Sequence, residues 1–267
     1  MLTKEYFNDN FKNDDRYIYH YTSYICAIEN ILKDKKLLFN KVKNTNDPFE
    51  FENIIHSASH NGNIDNNEKI NLLQIGTDSN DIVKNKFKIC CFCVDNEADI
   101  SIDNNIYINR GHCRSQMWSQ YGASHKGVCL VFNKNKLMEI IKNKFDDVFE
   151  KEISYKHFFD IKNIKYEIDM NAIPLERVKK YIFEYLFQKH IDYKSEQEYR
   201  IAIYQDDDCD NILIDFKDSL EGIILGTKFP EVYITCIKNS TELPVFRMKW
   251  LNGHPFVLGI DDEFPEW

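Results

Sequence analysis

The sequence predicts an α+β chain of central mixed or antiparallel sheets with flanking helices. Two observations carry this. Helical periods fall between strand-like runs in the first half, and the second half is strand-rich without the regular strand-helix-strand alternation of a doubly wound sheet. The nine glycines and six prolines are scattered, with no linker-like tract and no repeat, so a single domain over residues 1–267 is the simplest organisation.

Taken in order, Tyr17 to Tyr21 (YIYHY) is aromatic and β-rich and predicts a strand. Thr22 or Ser23 then caps a helix with Ile25, Ile28, Ile31 and Leu32 at helical spacing. Lys36 to Asn40 reads as a second short strand, and Asn46-Asp47-Pro48 as a turn that launches a helix. Residues 59–86 are polar and charged, expected as a loop with one or two surface helices. Phe87 to Val94 is a buried strand, 112–121 a short helix or structured loop, and Gly127 to Phe132 (GVCLVF) another buried strand. A helix runs on to about Lys144, and Val148 to Tyr155 is a strand. From Pro174 to His190 apolar residues recur at 175, 178, 182, 183, 186 and 187, which predicts the longest amphipathic helix of the chain. Strands follow at 197–204, 211–216 and 221–225, then a helix near 230–238 and a last strand at 244–250.

With 43% apolar and 14% aromatic residues the chain can build a sizeable core. No run approaches the roughly 18 apolar residues of a membrane span, and the charged start MLTKEYFNDNFKNDDR is unlike a signal peptide, so a cytoplasmic protein with no membrane partner is expected. A net charge of −9 argues against a surface given over to nucleic acid. Lys134, Lys136, Lys142 and Lys144, and Arg177, Lys179 and Lys180, read as solvated helix faces. The eight cysteines lie mostly in apolar strand-like stretches and read as buried thiols. In FKICCFCV, alternation sends Cys91 and Cys93 to one face and Cys90 to the other, which suits packing better than a metal site.

Candidate chemistry concentrates in three places. In Ser195 to Tyr204 a period of two sends Gln197, Tyr199, Ile201 and Ile203 to a core face, and Glu196, Glu198, Arg200 and Ala202 to a polar one. Two carboxylates ~7 Å apart with an arginine next in the row suit the lining of a cleft, or an exposed face with ordinary charge pairing. His20 shares a strand face with Ile18 and stands just before the helix start. Trp118 and Tyr121, in MWSQYGASHKG, are stacking residues beside a glycine-bearing loop; they suit a flat ring ligand or simply pack a helix. No Walker loop, GxGxxG after a strand, HExxH or Ser-His-Asp context occurs.

YHYTS at 19–23, LLFNKVKNTNDPFE at 37–50, WSQYGASHKGVCLVF at 118–132, the K-x-x-x-Y-x-x-E-x-E-Y-R pattern at 189–200 and LEGIILG at 220–226 together resemble the bacterial family catalogued as domain of unknown function 2971. The likeness covers about residues 17–230, with Tyr193 standing where that family usually has Trp. A more distant likeness is to the ADP-ribosyltransferase fold. His20-Tyr21-Thr22 resembles the His-Gly-Thr element of its diphtheria-toxin and poly(ADP-ribose) polymerase branch, with Tyr21 in place of the glycine. Gln197-Glu198-Tyr199 resembles the Asn-Glu-Tyr strand that carries the catalytic glutamate, and Glu196-Gln197-Glu198 the paired-glutamate motif of arginine-modifying members.

That second resemblance implies an NAD-dependent ADP-ribosyltransferase or NAD glycohydrolase, a bacterial toxin or phage-defence effector. NAD would be the small-molecule substrate, the acceptor a protein or nucleic acid, and no metal would be required. Glu198, Glu196 and His20 would be catalytic, while His20, Tyr21, Thr22, Trp118, Tyr121 and Arg200 would bind the dinucleotide. Two alternatives stay open: a non-enzymatic nucleotide-sensing or partner-binding module, and a metal-dependent nuclease that draws on scattered acids.

Overall fold

The YIYHYT alternation builds strand β1 (Tyr17–Thr22), which is covered on both faces: Tyr17, Tyr19 and Tyr21 enter one apolar cluster and Ile18 another. A computed structural model describes residues 16–45, 66–95, 110–157, 174–207 and 209–260. The Asn46-Asp47-Pro48 turn expected from the sequence lies outside them.

β1 pairs along its whole length, antiparallel, with β4 (Val128–Asn133), all six of whose residues are buried. Its other edge meets β3 (Phe87–Cys93) at a single register position, Tyr19 opposite Cys93. The rest of β3 is taken up on that side by β2 (Lys36–Lys41) and along its other edge by β8 (Glu198–Tyr204). β5 (Val148–Glu152) pairs with β8, β9 (Asn211–Asp215) with β2, and β10 (Leu220–Leu225) with β4. β11 (Val245–Leu251) joins β10 as the one parallel pair of this sheet, and β12 (His254–Gly259) closes that end. The result is a ten-stranded mixed sheet of order β12-β11-β10-β4-β1-β3-β2-β9, with β8 and β5 attached along β3. β6 (Ser154–Lys156) and β7 (Gln188–His190) form a separate parallel pair.

Helices flank the sheet, giving the mixed α and β architecture read from the sequence. α1 (Tyr24–Cys26) starts at Ser23, whose hydroxyl accepts from the Cys26 amide at 3.1 Å, and runs into a π-helical stretch, Ala27–Leu32. The wider turn places Ala27, Ile31 and Leu32 in the core and leaves Ile25 half-exposed, unlike the plain helical period. α2 (Asn66–Lys86) is one long helix within the stretch 59–86, where a loop with one or two surface helices was expected. A 3₁₀ turn at Gly111–Cys113 precedes α3 (Ser115–Gln120), and α4 (Lys134–Lys142) follows β4 with Asn133 as its cap.

The long helix expected over 174–190 is instead three pieces: α5 (Pro174–Lys180), α6 (Ile182–Leu186) and then β7. Tyr181 (φ −114°, ψ 25°) and Phe187 (φ −121°, ψ 30°) leave helical geometry and turn the chain, so that Val178, Ile182, Leu186 and Phe187 all still reach the core. The single strand expected over 148–155 divides between the two sheets at Ile153. α7 (Ile234–Ser240) comes before β11, and β12 is an additional strand beyond those expected.

The main core lies on the face of Ile18, Cys90, Phe92, Tyr199, Ile201 and Ile203. On the opposite face, Tyr19, Cys93 and Trp118 form one cluster and Phe87, Ile89 and Ala202 another. Cys90 thus faces away from Cys91 and Cys93, as alternation requires. Three of the six lysines flagged as helix faces form ion pairs: Lys142 with Glu150 (2.6 Å), Lys179 with Asp147 (2.8 Å) and Lys136 with Glu221 (3.3 Å). No described helix is long and apolar enough to cross a membrane.

Candidate functional site

A buried polar cluster forms where β8 begins. A 3₁₀ turn, Ile191–Glu196, ends at Gln197, which adopts left-handed backbone (φ 45°, ψ 54°) before the strand starts at Glu198. Glu196 is therefore outside the strand, and Gln197 does not alternate with Tyr199 as the sequence reading had it. The turn nevertheless swings both carboxylates onto one cation. Lys189 in β7 donates to Glu196 Oε2 at 2.7 Å and lies 3.4 Å from Glu198 Oε2, while its ammonium sits 4.6 Å from the Tyr193 ring centroid. Arg200, two residues along β8, donates from Nε and Nη2 to Glu198 Oε1, each at 2.7 Å, and from Nη1 to the Leu186 carbonyl at 2.7 Å. Tyr121 donates its hydroxyl to Glu196 Oε1 at 2.9 Å.

Neighbouring strands fix this arrangement. The Val94 amide donates to the Gln197 carbonyl, the Cys93 thiol to the Glu196 carbonyl, and the Glu198 amide to the Tyr155 hydroxyl at 2.8 Å. Glu196, Glu198, Lys189 and Arg200 are all 5% exposed or less, so four charges are held out of water. Such a group is stable only when the geometry satisfies each ion, because desolvation costs several kcal/mol per charge. Burial pushes the Glu198 carboxyl up; Arg200 foremost, then Lys189, with the Cys91 thiol as a further donor, outweigh it and hold Glu198 below its ordinary value. Burial and the Glu196 carboxylate push the Tyr121 hydroxyl up, so it remains a donor.

Tyr121 is also where the cluster meets solvent, at 37% exposure. It is placed by a left-handed turn after α3: Ala123, Ser124 and His125 have φ of 48°, 56° and 69°. Three consecutive non-glycine residues in this region are costly, about 1–2 kcal/mol each, and need support from outside. The support is backbone. His125 donates to the Trp118 carbonyl (2.9 Å), Ser124 to Ser119 (3.1 Å), and the His125 carbonyl accepts from Lys228 (2.9 Å). Gly226 lies so close that a Cβ there would stand 2.2 Å from the His125 carbonyl oxygen, and one at Gly127 would stand 2.2 Å from that of Thr22.

The remaining sequence candidates fall elsewhere. Paired residues in an antiparallel ladder point to the same face, and Tyr19, Cys93 and Glu198 are successive partners across β1, β3 and β8. His20 therefore points to the opposite face from Glu198. It packs on Phe92 (ring centroids 5.6 Å apart), and its Nδ1 lies 3.0 Å from the Cys91 carbonyl and 4.0 Å from the Cys90 sulfur. Burial lowers its pKa, against the effect of the Cys91 carbonyl. The expectation that His20 and Glu198 share one ribose-sized space is corrected by this register.

Trp118 is fully buried, donates to the His112 carbonyl at 2.8 Å and meets Tyr21 edge to face at 5.0 Å; it packs its helix and offers no face to a ligand. Tyr21 is buried with its hydroxyl on the Gly111 carbonyl at 2.7 Å, and Thr22 is buried. Arg200 is occupied within the protein by Glu198 and Leu186. The face expected to be open and polar is thus closed, with Ala202 under an apolar cluster.

Of the sequence-predicted residues the structure brings together Glu196, Glu198, Arg200 and Tyr121, and adds Lys189, Tyr155 and Tyr193. Lys189 and Tyr193 stand in the K-x-x-x-Y-x-x-E-x-E-Y-R pattern, which was the signal for them; Tyr155 had none. Among the described residues no three His, Cys, Asp or Glu side chains are arranged to hold a metal ion.

A family model matches residues 117–201, which span Tyr121, Lys189, Glu196, Glu198 and Arg200 and leave out His20. No curated protein and no solved structure matches the chain. The stretch that builds the cluster, residues 117–201, matches the model of the family described as Protein of unknown function (DUF2971).

Proposed function

We propose that the chain is an NAD-consuming ADP-ribosyltransferase or NAD glycohydrolase whose working groups are Glu198 and Glu196, entered from the Tyr121 side. The observation that carries the reading is a buried pair of carboxylates gathered on one ammonium, with Glu198 held ionised by Arg200 and an aromatic ring at the way out to solvent. Cleavage of the ribose to nicotinamide bond sends the electron pair out on nicotinamide and leaves an oxocarbenium-like ribose, and a preorganised anion such as Glu198 stabilises that charge. The acceptor then bonds to the ribose carbon and gives its proton to Glu196, general-base help typically worth about 10²- to 10⁴-fold in rate. Tyr121 is the side chain placed to stack on the departing ring. His20, Tyr21, Trp118 and Arg200 have structural roles in this version. The distant likeness to the ADP-ribosyltransferase fold, the order of its motifs and a role as a toxin or defence effector belong to the same proposal.

A second reading, a nucleotide-sensing or partner-binding module without catalysis, draws on the closure of the cluster: Glu196 and Glu198 are 2% and 5% exposed and fully engaged in ion pairs. The test is incubation of the protein with NAD, following nicotinamide release and transfer of labelled ADP-ribose to cell extract, for the native chain and Glu198→Gln. Release or labelling that Glu198→Gln abolishes supports catalysis. Neither product, together with nucleotide affinity that Glu198→Gln leaves intact, favours the binding module and rejects the enzyme.

A further inference from the structure

Within the reading of Glu198 as the working carboxylate, we propose that Lys189 is its positioning residue: the ammonium holds Glu196 and Glu198 side by side, so that one stays aimed as an anion while the other stands ready to take a proton. Two carboxylates this close repel, and sequence alternation alone would not bring them together, because Gln197 breaks the strand between them. Among the described residues the cation seen on both is Lys189, at 2.7 Å from Glu196 and 3.4 Å from Glu198, whereas Arg200 pairs with Glu198. Lys189 is itself fixed: it is 4% exposed, on a short strand paired with β6, with the Tyr193 ring against its charge. A lysine that only balanced charge would need one partner; this one spans two, from a different strand and on the side remote from the Arg200 contact.

The groups facing the pair come from every surrounding element. They are Arg200 on β8, Lys189 on β7, Cys91 and Cys93 on β3, Tyr155 on β6 and Tyr121 beyond α3. Lys189 and Arg200 are the cations seen against the pair among the described residues, so removing Lys189 takes away the one that bridges the two acids.

The experiment compares the native protein with Lys189→Met, Lys189→Arg and the charge-balanced Lys189→Met/Glu196→Gln. Glutamate is labelled with ¹³C at the side-chain carboxyl, and the signals of Glu196 and Glu198 are assigned with Glu196→Gln and Glu198→Gln. In Lys189→Met one of the two carboxyls should titrate at least one pH unit higher than in the native protein, and Lys189→Arg should restore it. In parallel, kcat for nicotinamide release should fall about 10²-fold or more with KM little changed, and the acid limb of its pH profile should move up. If Lys189→Met does not fold, the charge-balanced variant should, and Glu198 should titrate higher in it than in Glu196→Gln, which keeps the ammonium 3.4 Å away; equal titration of the two overturns the proposal. Titration curves of Lys189→Met that overlay the native ones overturn the proposal. Native protein that releases no nicotinamide, yet shows the carboxyl shift, rejects the enzymatic reading while keeping Lys189 as the clamp of the pair.

Discussion

Replacing Arg200 by methionine removes the cation that Glu198 depends on most, while keeping the length and flexibility of the side chain. Arg200 is 1% exposed and makes three contacts of 2.7 Å, two to Glu198 and one to the Leu186 carbonyl. Breaking a buried pair by deleting one partner costs about 3–5 kcal/mol, because the surviving charge stays buried. For a chain of this size a kcal/mol moves the melting temperature by about 2–4 °C, so Arg200→Met should melt about 6–20 °C lower in a calorimetric or circular-dichroism scan. The cost is expected to be non-additive. Glu198→Gln alone leaves an unbalanced arginine, but Arg200→Met/Glu198→Gln buries no unpaired ion and should be more stable than the sum of the singles by about 0.5–3 kcal/mol. A loss below about 1 kcal/mol for Arg200→Met, or strict additivity in the double variant, would refute the closed ion network.

Three further outcomes follow from the same geometry. Because the Glu198 carboxyl is held below its ordinary value, its contribution to stability is present above the unfolded-chain pKa of about 4.3 and is lost as pH falls through the folded value; the native advantage over Glu198→Gln in urea melts should shrink below about pH 4, and an advantage that grows there would contradict the assignment. Trp118→Ala should cost about 3–5 kcal/mol, since it empties a fully buried indole site and removes the indole N–H from the His112 carbonyl; a variant that keeps native stability and loses only ligand binding would return Trp118 to the ligand site. Gly226→Ala should destabilise by more than about 1 kcal/mol and disturb Tyr121 fluorescence, because its new methyl meets the His125 carbonyl; an unchanged melt would mean that the left-handed turn does not lean on β10.

The strands were the most legible part of the fold, for a physical reason. YIYHY and GVCLVF are buried on both faces, so they read as nearly continuous apolar runs with few turn formers inside. The stretch from Pro174 to His190 misled because its apolar spacing fits one helix and also fits two short helices and a strand folded onto the same core. Nothing in Tyr181 or Phe187 announces a break. β12 went unread although its hairpin signal was present: Asn252 and Gly253 take positive φ (51° and 80°), the Asn-Gly turn suited to a two-residue hairpin.

At the site, alternation placed Glu198, Arg200 and Tyr199 correctly. It misplaced Glu196, because a left-handed glutamine is not a position that residue type advertises. Lys189 was visible in the motif, but only the three-dimensional return of β7 shows that it touches both glutamates. His20 failed for a related reason: the face it points to depends on the Tyr19 to Cys93 register, which no local pattern contains.

The most direct measurement is the time course of nicotinamide release from NAD by folded native protein and by Glu198→Gln at matched concentration, with the fold of each checked by its melt. NAD cleavage by the native chain, with at least a hundredfold loss in Glu198→Gln and a preserved melting transition, is the predicted result. Equal rates in the two proteins, or no release from either across added protein and nucleic-acid acceptors, would contradict a catalytic Glu198.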